Sequence, residues 1–250
     1  MSTSSVDSGT WIRQYRTALP GSPRLVCFPH AGGSASFYFP VAAGLSPDID
    51  VLAVQYPGRQ DRRDERPLDD IRRLADRVTE ALGPWRDEPL HLFGHSMGAV
   101  IAYEVALRLA ESTGSGPAAL YVSGRRAPTT QRVETVHLRD DAGIVRELKS
   151  LAGTEAALLA DDDVLAMILP ALRADYRAIE TYEHRPAAPL PCPVTVLVGD
   201  SDPKVTLAEA EAWRQHTDGD FDLRVFEGGH FYLTTHQTDV LKLLRERLRG

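Results

Sequence analysis

Six short apolar runs punctuate the chain: Leu25–Phe28, Asp50–Val54, Leu90–Phe93, Ala119–Ser123, Val194–Val198 and Leu223–Phe226. Most are hydrophobic almost throughout rather than alternating, the pattern of strands buried on both faces of a parallel sheet. Between most of them, apolar residues return at three- and four-residue steps. Leu68, Ile71, Leu74, Ala75, Val78, Ala81 and Leu82 make one such stripe and predict an amphipathic helix, which Gly83-Pro84 stops. Val240, Leu241, Leu243, Leu244 and Leu248 predict a terminal helix with arginines on its outer face. Strands alternating with helices at this spacing predict an α/β fold, with a mostly parallel sheet and helices on both faces.

One stretch breaks the rhythm. From about residue 125 to residue 191 there are helical patches, Ala142 to Leu151, Val164 to Leu172 and Ala174 to Tyr182, but no convincing strand. That is too long for a plain crossover. It predicts a helical insertion seated over one edge of the sheet as a lid. With 250 residues the chain suits a single domain, and residues 1–10 read as a loose, disordered tail.

Composition narrows the class. The formal charge of −7 argues against a nucleic-acid binder, which needs a basic footprint. No apolar stretch approaches the roughly 20 residues that span a bilayer, and Met1–Gly9 lacks the regions of a signal peptide. Cys27 and Cys192 form neither a disulfide framework nor a metal-ligand spacing. The expectation is a cytoplasmic protein with no metal and no cofactor.

Candidate chemistry starts at Gly94-His95-Ser96-Met97-Gly98, between a strand pattern and the helical Ala99-Val100-Ile101-Ala102-Tyr103. A strand–turn–helix corner with glycine at both ends forces its serine above the sheet and aims the first helical N–H groups at whatever the serine attacks. A serine hydroxyl needs a base, and the base needs a carboxylate to orient it. Gly199-Asp200-Ser201-Asp202-Pro203 follows one late strand and Glu227-Gly228-Gly229-His230 follows the last, so the chain order is Ser, Asp, His. His230 is the candidate base. Asp202 is preferred over Asp200 as the acid, because three residues beyond Gly199 leave room to turn back, whereas Asp200 suits a turn cap. His95 is expected to point away from the serine. The N–H of Met97 and that of Ala31, in Pro29-His30-Ala31-Gly32-Gly33-Ser34, are the candidate oxyanion donors.

Taken together, these residues resemble the type II thioesterases of polyketide and nonribosomal peptide synthetase pathways. The likeness rests on residues Phe28 to Tyr38, on Gln55-Tyr56-Pro57-Gly58-Arg59, on Phe93 to Ala99, on Gly199 to Pro203 and on Gly228 to Tyr232. It implies an α/β-hydrolase fold with a lid. It also implies a stand-alone enzyme that clears acyl groups from the phosphopantetheine arm of acyl or peptidyl carrier proteins. Ser96, Asp202 and His230 would be its triad, and Ala31 and Met97 its oxyanion donors. Without the resemblance, the residues stop at a serine hydrolase with a helical lid, which a general carboxylesterase or lipase also fits; a binding module that keeps the scaffold alone is disfavoured, because every required residue type is present.

Three weaker signals remain. The mixed run Asp61 to Arg66 reads as a solvated loop, or with Arg59 as a surface steering an acidic carrier protein, a role open also to Arg125 and Arg126. Asp161-Asp162-Asp163 suits a helix cap rather than a metal site. Phe37, Tyr38 and Phe39 suit core packing or the acyl pocket.

Overall fold

Seven strands form one sheet in the order β1-β3-β2-β4-β5-β6-β7 in this computed structural model, which describes residues 7–152 and 162–249. They are β1 (Ile12–Gln14), β2 (Arg24–Phe28), β3 (Asp50–Val54), β4 (Leu90–His95), β5 (Ala119–Ser123), β6 (Val194–Gly199) and β7 (Phe221–Phe226). Every pairing is parallel except that of β1, which runs antiparallel to β3 at the edge. This is the sheet the apolar runs predict, with β1 added. β1 is too short to show as a run, and its burial falls from buried Ile12 to exposed Gln14.

Side chains alternate across a strand, and each face finds its own cover. Val26 and Phe28 of β2 belong to a core with helices α3 (Ile71–Ala81) and α4 (Met97–Thr113). Leu25 and Cys27 face the other way, toward α2 (Phe39–Leu45) and the terminal helix α7 (Gln237–Arg249). α3 begins where the Asp70 carboxylate accepts the N–H of Arg73, and it presents Ile71, Leu74, Ala75 and Val78 to the core. α4 ends at Gly114 with φ +75°, a left-handed cap that a residue with a Cβ adopts only at a cost.

Between β5 and β6 the described residues form no named strand. α5 (Asp141–Ala152) and α6 (Asp162–Glu180) fill this stretch. Two of the helical patches prove to be one helix, because α6 continues through Pro170. The hydrogen bond that proline removes is offset by burial of Ala171, Leu172, Tyr176, Ala178 and Ile179 along the inner face. Asp161 lies outside the described residues. Arg125, Arg126 and Ala127, at the start of the stretch, belong to the body: Trp213 Nε1 donates to the Arg125 carbonyl at 2.9 Å.

The expected loose tail needs a correction over its described part. Residues 1–6 lie outside the described residues, but Ser8–Trp11 forms a helical turn, α1. The Asp7 carboxylate accepts from Gly9 N and Thr10 Oγ1, and Trp11 is buried beneath the Arg62 guanidinium, 4.3 Å from the ring centroid. A capped turn anchored by one aromatic residue carries no periodicity to read.

Among the described glycines, the least room for a side chain is at the start of α4. A Cβ on Gly98 would sit 2.0 Å from the Phe28 carbonyl oxygen, and one on Gly94 would sit 2.2 Å from the Gly98 oxygen. Both contacts are with backbone, which cannot rotate away. Gly98→Ala should therefore destabilise the protein by about 3 kcal/mol or more, read as a lowered urea midpoint. A midpoint equal to wild type would show that β2 and α4 are free to separate.

Candidate active site

The parallel register levels the C-terminal strand ends, with Phe28 beside Gly94 and His95 beside Ser123. Ser96 sits at the corner between β4 and α4 with φ 56° and ψ −118°. That conformation is sparsely populated for a residue with a Cβ and costs about 1–3 kcal/mol. Tight packing of Gly94 and Gly98 on both sides holds it, and Ser96 N donates to the Ser123 carbonyl at 2.8 Å.

His230 reaches this serine from the loop after β7. Its Nε2 lies 3.0 Å from Ser96 Oγ, and its Nδ1 lies 2.8 and 3.0 Å from the two carboxylate oxygens of Asp202. Since the carboxylate accepts, Nδ1–H donates, leaving Nε2 to accept from the serine hydroxyl. Asp202 is itself oriented by Lys204 N, which donates to Oδ1 at 2.8 Å. Asp200 is occupied elsewhere, accepting Gly228 N at 3.0 Å. The two loops are pressed together, for a Cβ on Gly199 would meet the Gly228 oxygen at 2.3 Å.

His95 is fully buried and turned toward β5, with Nδ1 at 2.9 Å from Ser123 Oγ, which in turn lies 2.7 Å from Tyr232 Oη. With His30 and His230 it makes a cluster of imidazoles around Phe231, their centroids 5.0 Å (His95–His230) and 5.9 Å (His30–His95) apart. Burial pushes His30 down to about 3 and holds His95 well below the ordinary histidine range, so both are neutral at pH 7.

Ala31, Ser96, Met97, Tyr176, Ile179 and Phe231 line a common cavity, so α6 covers the serine. Among the described residues, no acceptor engages the backbone N–H of Ala31 or Met97. The neighbouring amide is engaged: Gly32 N donates to Asp175 Oδ2 of α6 at 2.8 Å. The same oxygen receives the Arg59 guanidinium, and Arg59 Nη1 also donates to the Pro57 carbonyl at 2.8 Å. Leu172, one turn earlier in α6, lies against Gly32, where a Cβ would come within 2.8 Å of its Cδ1. The loop bearing Ala31 is thus fastened to the covering helix by a buried ion pair and by packing. No sequence signal marks Asp175, one of two acids in a helical patch.

Several arginines proposed as a docking surface are internal. Arg59, Arg62, Arg125 and Arg126 are all buried. Arg62 pairs with Glu65 and donates to the Gln55 carbonyl, and Arg126 pairs with Glu134. Sequence shows charge but not the carbonyls and carboxylates that draw it inward. Arg63 remains exposed beside Asp64. Of the aromatic residues considered for the pocket, none lines this cavity: Tyr38 is fully buried and donates to the Phe28 carbonyl, Phe37 packs on His30, and Phe39 is exposed. No group of three or more His, Cys, Asp or Glu is placed to hold a metal ion among the described residues, and no helix there is long and apolar enough to cross a membrane.

Comparison with known proteins accords with this geometry. The family model described as a thioesterase domain matches residues 23–248. The thioesterase PikA5 of Streptomyces venezuelae is 49% identical over 245 residues, covering 98% of this chain and 87% of the relative. A protein named probable cadicidin biosynthesis thioesterase, from Streptomyces griseus, is 55% identical over 236 residues, covering 94% of this chain. The match spans only 65% of that relative's length. Among solved structures, the type II thioesterase BorB of the borrelidin biosynthetic cluster superposes with a TM-score of 0.91 at 54% identity, covering 96% of this chain and 98% of the other.

Removing the Asp175 carboxylate would leave Arg59 buried without its counter-charge and Gly32 N without an acceptor. Asp175→Ala should therefore cost about 3–5 kcal/mol of stability, measured by urea unfolding. A loss under about 1 kcal/mol would mean that α6 is held by its apolar face alone.

Proposed function

Because the chain belongs to the thioesterase family, we propose that it is a type II thioesterase. Its substrates are acyl groups carried on the phosphopantetheine arm of acyl or peptidyl carrier proteins, and its role is editing in polyketide or nonribosomal peptide biosynthesis. In this reading the chain is a single α/β-hydrolase domain, with the stretch that follows Ala127, up to about residue 191, as its lid. The observation that carries the proposal is the hydrogen-bonded series Ser96–His230–Asp202 at a cavity flanked by two unengaged amides.

His230 Nε2 takes the hydroxyl proton as Ser96 Oγ attacks the thioester carbonyl. Asp202 keeps the proton on Nδ1 and stabilises the imidazolium. The negative oxygen of the tetrahedral intermediate is held by the N–H groups of Ala31 and Met97, each such donor being worth about 3 kcal/mol. As the carbon–sulfur bond breaks, His230 protonates the departing pantetheine thiol. Water, deprotonated by the same imidazole, then hydrolyses the acyl-serine ester and frees the acid. Serine, imidazole and backbone donors supply all of this chemistry, so no cofactor is called for. The setting is the cytoplasm, where buried Cys27 and Cys192 stay as free thiols.

Ser96→Ala should lower turnover of an acyl-pantetheine thioester by about 10⁴-fold or more, and Asp202→Asn by about 10⁴-fold, with the fold intact by circular dichroism. Activity retained in Ser96→Ala would reject this nucleophile. A matched oxygen ester cleaved as fast as the thioester would favour a general esterase.

A further inference from the structure

The loop that carries His230 is anchored on both sides. It runs from Glu227 to Phe231 and includes Gly228, at φ +123°, and Gly229. These glycines let the loop fold tightly toward Ser96, but they give its backbone little stiffness of its own. On the acid side, Asp202 holds the imidazole and Asp200 accepts Gly228 N. On the other side the loop ends at Tyr232, whose ring stacks on Phe226 with the centroids 5.0 Å apart.

The second anchor is the Tyr232 hydroxyl, 2.7 Å from Ser123 Oγ at the end of β5. Ser123 Oγ also lies 2.9 Å from His95 Nδ1, and the Ser123 carbonyl accepts Ser96 N at 2.8 Å. One residue therefore meets the amide of the nucleophile, the side chain just before it and the phenol two positions after the base. All three side chains of the series are buried. Among the described residues, Tyr232 Oη has no hydrogen-bond partner besides Ser123 Oγ, and His95 Nε2 has none at all. Burial, joined by the Asp202 charge, holds the Tyr232 phenol above its ordinary range, so its proton is in place at neutral pH. The end of β5 also passes close beneath both imidazoles. A Cβ on Gly124, at φ +59°, would come within 2.7 Å of His95 Cε1 and 3.4 Å of His230 Cε1.

We infer that Ser123 is a positioning residue for the reaction, its hydroxyl bridging the serine corner to the histidine loop and keeping His230 Nε2 in reach of Ser96 Oγ. The inference rests on the Ser96–His230–Asp202 reading and adds a support that does not pass through Asp202. Ser123 does not line the cavity beside Ser96, so it acts only through the residues it holds. A buried hydroxyl between two polar rings that lack other partners cannot be traded for a methyl group at no cost. What the trade loses here is geometry: a shift of about 1 Å between a base and its nucleophile costs up to about 100-fold in rate.

The test compares Tyr232→Phe, Ser123→Ala and the double variant with the wild-type full chain. Tyr232→Phe removes one oxygen and keeps the stacked ring. Two reactions are followed: phosphonylation of Ser96 by a fluorophosphonate, and turnover of an acyl-pantetheine thioester. Both rates are expressed per folded molecule, from the urea unfolding curve. Each single variant should be phosphonylated about 10-fold more slowly or worse, and should lose kcat by a similar factor with KM within about twofold of wild type. The double variant should fall no further than the slower single one, because both changes cut the same bridge. Losses that multiply, to about 100-fold for two 10-fold effects, would overturn the inference. So would Tyr232→Phe with a lowered urea midpoint but wild-type rates per folded molecule, the result for a purely structural hydroxyl, whether or not Ser123→Ala folds. A wild type that is phosphonylated yet cleaves no acyl-pantetheine would sink the thioesterase reading instead, while the phosphonylation rates would still decide the role of Ser123.

Discussion

Everything at this site depends on how close α4 comes to the end of β2. The first turn of the helix rests directly on the Phe28 and Pro29 carbonyls, a distance that only glycine at position 98 permits. That contact drives the chain through the strained corner at Ser96 and brings the loop after β2 alongside it. The strain of about 1–3 kcal/mol is sustained because both neighbours of the corner are fully packed. Had the helix stood off by the width of a methyl group, the serine could relax into ordinary backbone geometry, away from His230.

A second constraint extends the first. The amide of Ala31 is left unengaged while that of Gly32, one residue on, is tied to Asp175. Only the φ and ψ of Ala31 separate the two peptide planes, so fixing one narrows the range of the other. Because Asp175 belongs to α6, the covering helix is fastened to the loop that bears Ala31. Arg59 closes the arrangement from the β3 side, and its guanidinium 5.3 Å from the Tyr56 ring centroid adds a cation–π contact. α6 thus supports the site as well as covering it.

The sheet was legible because parallel strands buried on both faces must be apolar nearly throughout, the signature of β2 to β6, while β7 at the edge shows only alternating apolar residues. β1 lacks it, since three residues on an edge need only one buried side chain. The serine, histidine and carboxylate stood out because each directly follows a strand, where an α/β fold gathers its loops. What sequence concealed is long-range pairing. Arg59 and Asp175 are separated by 116 positions, and nothing local distinguishes that aspartate from a solvated one. The same blindness made Arg125 and Arg126 look like surface charges, since Trp213, which holds the Arg125 carbonyl, and Lys204, whose carbonyl accepts from Arg126, lie far along the chain.

The account's central claim is that the site stands assembled before substrate arrives, with both amides already aimed at one point above Ser96. A crystal structure of the protein after phosphonylation of Ser96 examines this most directly. The phosphoryl oxygen should lie about 3 Å from the amide nitrogens of both Ala31 and Met97, with the Gly32–Asp175 hydrogen bond intact. An oxygen turned away from either amide, or an Ala31 loop that has to swing free of α6 to reach it, would contradict the claim.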